Sequence, residues 1–180
     1  MAEEARKGML QGKNKILLFR LLKESEKEAA KLSFQTGHTF SLSRDSDSIT
    51  TKDGKIVKLG ELEGEVTGIE AVQSKDDPVA DMLLQAMLNG EKLELWEVTV
   101  DEDVKNEEGK YPAMYAQGYL TSWEEEASAE DEATYSGDYS IDLVPQFGFA
   151  TLTPDQEEAV QYAFRDVKAN SEPETEQEGE

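Results

Sequence analysis

The sequence predicts a mainly β protein: an antiparallel β-sandwich or barrel with one or two flanking α-helices. Three observations carry that prediction. Six or seven segments alternate apolar and polar residues, or form apolar runs of strand length, with turn-rich loops between them. Two other segments open with helix-start signals and continue with a 3.6-residue apolar period. The chain has 180 residues and no cysteine, so one domain can bury a real core without disulfide staples.

Residues 1–12, with Gly8 and Gly12 ahead of the first apolar run, read as a flexible arm, and the folded body spans 13–168. "KILLFRLL" is a continuous apolar strand, covered on both faces or placed at an interface. "LKESEKEAAKL" has helical composition but room for only a turn and a half between two strands. "KLSFQTGHTFSLS" alternates, with Leu32, Phe34, Thr36, His38, Phe40 and Leu42 on one face. Four further strands follow: "EVTGIEAV", "KLELWEVTV", "AMYAQGYLTSW" and "ATYSGDYSIDLV". In the last, Tyr135, Gly137, Tyr139, Ile141 and Leu143 share a face.

One helix runs through "DDPVADMLLQAMLNG", with Asp77 before Pro78, Gly90 past the end, and an apolar stripe of Val79, Met82, Leu83, Ala86 and Met87. The other, "TPDQEEAVQYAFRDV", opens on a capping box of Thr153 and Gln156, with Val160, Ala163, Phe164 and Val167 inward. Residues 169–180 alternate glutamate with small polar residues and cannot bury enough surface to offset ordering entropy, which predicts a disordered acidic tail.

Composition restricts function. Forty acids against eighteen bases give a net charge of −22, which argues against coating a nucleic acid or a membrane, since both are polyanions. No apolar run is long enough to span a bilayer as a helix. His38 is the only histidine, so histidine metal clusters and catalytic triads have at most one member available. It sits on an apolar strand face, where a hydrogen-bonded core or seam residue is expected. No phosphate-binding glycine motif is present, and no catalytic, cofactor or metal site is predicted.

"SRDSDSITTKDGKIVKLGELEGEV" (residues 43–66) admits two readings. As a calcium loop starting at Asp45 it has Asp47 at position three, but Ile49 at five, Thr50 at six and Ile56 at twelve. The turn glycine and the bidentate glutamate are both missing. As a hairpin it is better formed: "SITT" and "KIVK" flank Asp53-Gly54, a type I′ turn signal. Such a polar hairpin, protruding at about residues 43–60, is marginal alone; the residues leave open a mobile surface hairpin with no partner and an arm ordered against a second subunit.

Several segments in order resemble the major tail proteins of long-tailed phages that infect Gram-positive bacteria. They are "KILLFRLL", "FQTGHTFSLSRDSDSITTKDG", "VADMLLQAMLNGEKLELWEV", "GKYPAMYAQGYLTSWE" and "GFATLTPDQEEAVQYAFRDV", together spanning most of the body. The resemblance implies a structural virion protein. Its copies close into hexameric rings that stack as a tail tube around a tape-measure protein, between terminator and baseplate proteins, and DNA later passes through the lumen. It further implies assembly in the host cytoplasm, and an arm that contacts the next ring, with Arg44, Asp45, Asp47, Lys52, Asp53, Gly54 and Lys55 as contact residues. Acids facing the lumen would repel DNA phosphates; Glu94, Asp138 and Asp142 are the candidates. The net charge predicts assembly favoured by salt. The glutamate-rich tail is not part of the resemblance. Two alternatives stand beside this: another virion component of related fold, or a monomeric β-sandwich that stacks ligands on Trp96 or Trp123.

Overall fold

The computed structural model describes residues 8–160; the predicted acidic tail, the second helix beyond Val160 and most of the amino-terminal arm lie outside them. The chain runs β1 (Lys15–Leu21), β2 (Ala30–Lys31), β3 (Gln35–Thr51), β4 (Gly54–Val72), α1 (Pro78–Asn89), β5 (Leu93–Thr99), β6 (Tyr111–Glu126), β7 (Thr134–Ile141), β8 (Gln146–Ala150) and α2 (Pro154–Val160). Every pairing is antiparallel, in the order β2-β1-β5-β6-β7-β4-β3, and β8 also pairs with β6. The predicted mainly β architecture is therefore present. The "LKESEKEAAKL" segment yields only a 3-10 turn at Leu22–Glu24 and the two residues of β2.

β6 is the pivot of the sheet. Its first half pairs with β5 from Ala113 to Gly118, and its second half pairs with β7 from Gly118 to Glu126. The two half-sheets fold toward each other about this strand and enclose the main core. Leu17 and Phe19 of β1, Leu93 and Leu95 of β5, Leu120 of β6, Tyr139 of β7 and Val66 of β4 all point into it. α1 fills the remaining side with Val79, Ala80, Leu83 and Ala86. A second, smaller cluster forms on the opposite face of β1 and β5, where Ile16, Leu18, Val98 and Tyr111 meet Leu152. The continuous apolar reading of β1 follows from this, because its alternate residues serve the two clusters.

Side chains close the seam between β1 and β3. The Gln35 carboxamide substitutes for a strand partner: its Oε1 accepts from the Leu17 amide at 2.9 Å and its Nε2 donates to the Leu17 carbonyl at 2.6 Å. Deeper in the seam, Glu97 bridges Lys15 Nζ at 2.6 Å and His38 Nε2 at 2.9 Å. His38 is thus the hydrogen-bonded seam residue expected. The bond to His38 outweighs burial and, with Lys15, holds the Glu97 carboxyl below the ordinary glutamate value of 4.5. A depressed carboxyl stabilises the fold above its unfolded value, and that contribution is lost as pH falls through the folded one. Glu97→Gln is therefore expected to flatten the stability profile on the acid side, below the ordinary glutamate value of 4.5. Urea unfolding across that range measures it; parallel profiles for the two proteins would refute it.

The signals that define α1 work as predicted. Asp77 Oδ1 accepts from the Val79 and Ala80 amides, Pro78 occupies the first turn, and Gly90 closes the helix at φ 64°. Asp77 does more than cap, since its Oδ2 accepts from the Ser33 amide at 3.0 Å and the Tyr135 hydroxyl at 3.2 Å. One buried carboxylate ties the helix to the β2–β3 linker and to β7. Asp77→Ala is expected to cost about 2–4 kcal/mol, combining a lost cap with donors left unsatisfied, and a urea unfolding series checks it. At α2 the capping box also forms, with Thr153 and Gln156 exchanging side-chain-to-amide bonds.

Two local expectations are corrected. The predicted alternation from Leu32 to Leu42 holds only in part: Leu32 is buried, but Phe34 is 65% exposed and Leu42 43% exposed. Register shifts flanking Gly37, together with a left-handed Phe34 (φ 49°), break the period. The hairpin turn also sits one residue earlier than a type I′ Asp53-Gly54 turn would require. Thr51 pairs with Gly54, which leaves Lys52 and Asp53 at the tip, and of those three residues only Gly54 has positive φ (132°). The Thr51 hydroxyl, which donates to the Gly54 carbonyl and accepts from the Asp53 amide, holds this turn.

Candidate assembly surfaces

Strands β3 and β4 continue well beyond the body as a two-stranded arm. β7 stops pairing with β4 at Gly64↔Ile141, whereas β3 and β4 pair on to Thr51↔Gly54. At ~3.3 Å per residue, the nine residues from Ser43 to Thr51 project roughly 30 Å. The arm resembles a ribbon with two apolar sides. Ile49 faces Ile56 across one side, while Val57 and Leu59 share the other, and all four are more than half exposed. A lone ribbon with apolar side chains on both faces lacks the packing of a stable unit in water.

The predicted contact residues all lie on this arm. Arg44 binds the Gly60 carbonyl at 2.9 Å across a register shift that includes Asp45. Asp47 stands opposite Lys58, Lys55 opposite Thr50, and Lys52, Asp53 and Gly54 form the tip. The structure thus brings all seven onto one protruding element.

A second surface is the outer face of the four-stranded half-sheet β6-β7-β4-β3. Since Val66, Tyr139 and Leu120 point into the core, their strand neighbours Glu65, Ser140 and Tyr119 point away from it. The same alternation turns Ser41 and Ser43, Glu63 and Glu70, Ser136 and Asp138, and Ser122, Glu124 and Glu126 outward. Residues 39–43, 63–70, 136–140 and 122–126 contain no lysine or arginine. This sheet is bounded by two strand edges with no strand partner among the described residues: the far edge of β3, and the edge of β6 past Gly118 where β5 has ended.

The three acids named from the sequence fall in different places. Asp138 is on the polar face, accepting from the Gly68 amide at 2.9 Å and the Ser122 hydroxyl at 3.0 Å. Asp142 lies just past β7 and forms an ion pair with Lys92. Glu94 is only 5% exposed, on the side of β5 that carries the second cluster; Arg20 binds it at 2.6 Å and the Tyr115 hydroxyl at 2.8 Å. The same outer face also carries Glu63, Glu65, Glu70, Glu124 and Glu126, which the sequence did not single out. Their signal was available in the runs without a basic residue, once strand register assigned the faces.

A third surface is apolar. Leu143, Val144, Phe147 and Phe149 are each more than half exposed around β8. Beside them a groove of about 550 Å3 runs between β8, Trp96 and Tyr115. Neither tryptophan is a free stacking platform: Trp96 packs on Tyr115 and under Arg20, and Trp123 stacks on Tyr135 at 5.1 Å.

The half-sheet thus combines an outer face free of lysine and arginine at the positions named, two open edges and a projecting arm, and comparison with known proteins supplies the class. The chain matches the phage tail tube protein family over residues 9–147 and belongs to it. It is 33% identical over 146 residues, 80% of this chain and 74% of the other, to a protein of Staphylococcus phage phiMR25 described as a tail protein. Its fold is similar to the SPP1 tail tube protein, with TM-score 0.71 at 19% identity over 92% of this chain and 96% of that one. It also resembles the tail subunit of a gene transfer agent particle refined with C6 symmetry, with TM-score 0.58 at 16% identity over 77% and 98% of the two chains.

Proposed function

We propose that this chain is the repeating subunit of a phage tail tube, a structural protein of the virion with no catalytic role. The observation that carries the reading is the four-stranded polar sheet with an open edge on each side. Joining the β3 edge of one copy to the β6 edge of the next satisfies the backbone groups of both and closes a ring without free edges. A hexamer follows the C6 symmetry of the gene transfer agent tail. In that ring the outer face of the half-sheet lines the lumen, so Glu63, Glu65, Glu70, Glu124, Glu126 and Asp138 present carboxylates and hydroxylated neighbours to passing DNA. Like charge keeps the phosphates from adhering.

Ring stacking is heterologous and does not close on itself, so tube length is set by other components: the tape-measure protein inside, with terminator and baseplate proteins at the ends. Assembly in the host cytoplasm precedes ejection of DNA through the bore. Between bodies of high net negative charge, ring closure strengthens with salt as repulsion is screened. Negative-stain electron microscopy of the purified full chain across concentration and salt tests the proposal. Rings and tubes of constant bore are expected, and a monomer under all conditions would refute it.

A further inference from the structure

The arm and one particular loop lie at opposite ends of the same half-sheet and carry opposite charge. Strands β4 and β7 pair from Gly64↔Ile141 at one end to Val72↔Thr134 at the other. The arm leaves beyond Gly64. The β6–β7 connection leaves at the far end, beyond Glu126↔Thr134. In a chain of net charge −22, the outer part of the arm, residues 48–58, carries three lysines and one aspartate. The connection from 127 to 133 carries Glu130, Asp131 and Glu132 and no base, with Lys75 and Asp76 in the neighbouring β4–α1 loop. None of Lys52, Lys55, Lys58, Glu130, Asp131 or Glu132 has an ion-pair partner among the described residues.

The geometry points to a head-to-tail contact in which the arm's lysines dock on the Glu130–Glu132 end of a second copy in the next ring. This rests on the tube reading and names the two surfaces that meet. A copy stacked along the strand direction presents its loop end to the arm end of the copy before it. A projection of roughly 30 Å is long enough for the arm's lysines to reach the loop end of the next copy. The apolar residues on both sides of the arm add contact area that a surface-lying hairpin would not need. Because the positive element and the negative element sit at different ends, the contact forms only in one relative direction. Two arm ends would bring like charges together and leave both loops unmatched, so the pairing gives the tube its polarity. It also places a local attraction within an assembly whose net charge otherwise opposes it.

A charge exchange tests this. One full-length variant carries Lys52→Glu, Lys55→Glu and Lys58→Glu; the other carries Glu130→Lys, Asp131→Lys and Glu132→Lys. All six positions are surface residues outside both hydrophobic clusters. At fixed ionic strength each variant alone is expected to give rings but at least tenfold fewer tubes than the unaltered chain. Mixing the two ring populations restores tubes, because each reversed arm meets a reversed loop. Abundant tubes from either variant alone, or no tubes from the mixture, would overturn the pairing. If the unaltered chain forms no tubes, the tube reading itself falls. A second measurement does not depend on the variants' rings. The chain has no cysteine, so Lys55→Cys with Asp131→Cys in an otherwise native chain is expected to form covalent ladders on oxidation of tubes. Tubes that yield only monomer after oxidation also overturn it.

Discussion

Removing residues 47–58 is expected to leave rings and abolish tubes. Ser46 and Leu59 are cross-strand partners, so their backbones lie about 5 Å apart, and an Asn-Gly connection closes the shortened hairpin without disturbing the body. Nothing removed belongs to either hydrophobic cluster. The thermal midpoint of the isolated subunit should therefore stay within about 2 °C of the full chain, since surface changes are worth only a few tenths of a kcal/mol. The proposed lateral closure through β3 and β6 uses residues outside the deletion, which is why rings are expected to persist. Stacking loses the arm altogether. A contact of this kind contributes about 2 kcal/mol when it contains a hot spot, and every subunit of a ring loses it at once, so the concentration needed for tubes should rise far more than tenfold. Sedimentation and electron microscopy measure the split. Tubes of ordinary length from the shortened chain would remove the arm from the stacking interface, and loss of rings as well would place it in the lateral one.

Much of this was legible in the sequence, for identifiable reasons. The ends of α1 were readable because Asp77, Pro78 and Gly90 act locally, through one carboxylate, one fixed φ and one left-handed residue. β6 and β7 were readable because their alternate residues face a core on one side, and β5 because its apolar residues serve a cluster on each face. β8 escaped strand assignment because all of its residues but the last are exposed, so no period marks it. The buried position of Glu94 was equally hidden. A glutamate in alternation with Leu93 and Leu95 looks solvent-facing, and only the second cluster with Arg20 and Tyr115 covers that side of β5. The arm's turn was misassigned by one residue because Asp-Gly is a type I′ signal in isolation, whereas here the Thr51 hydroxyl stabilises a turn centred on Lys52 and Asp53. Which acids share a face depends on register, and the shifts between Val66 and Ile69 and between Leu120 and Ser122 are not encoded in any local pattern.

The same register leaves Gly118 with the least room for a side chain among the described glycines. Gly118 is the point where β6 passes from β5 to β7, pairing with Leu93 on one side and Ile141 on the other. A Cβ there would lie 1.9 Å from the Ser140 carbonyl oxygen and 2.9 Å from its carbon, both backbone atoms held in the ladder. The glycine is needed for close approach, since its φ is not in the left-handed region. Gly118→Ala must push β7 away from β6. That breaks pairing beside Tyr119↔Ser140 and disturbs the bond from the buried Tyr139 hydroxyl to the Leu93 carbonyl. The expected loss is about 3 kcal/mol or more, or roughly 6–12 °C in thermal midpoint for a domain of this size. Gly37→Ala is the matched control, a strand glycine whose Cβ would meet nothing within 4 Å, and it should stay within about 0.5 kcal/mol. Because β6 and β7 together carry the proposed luminal face and one joining edge, Gly118→Ala should abolish rings as well as tubes, unlike the arm deletion. A Gly118→Ala protein that melts within about 2 °C of the unaltered chain would mean that β6 and β7 separate more easily than this geometry allows.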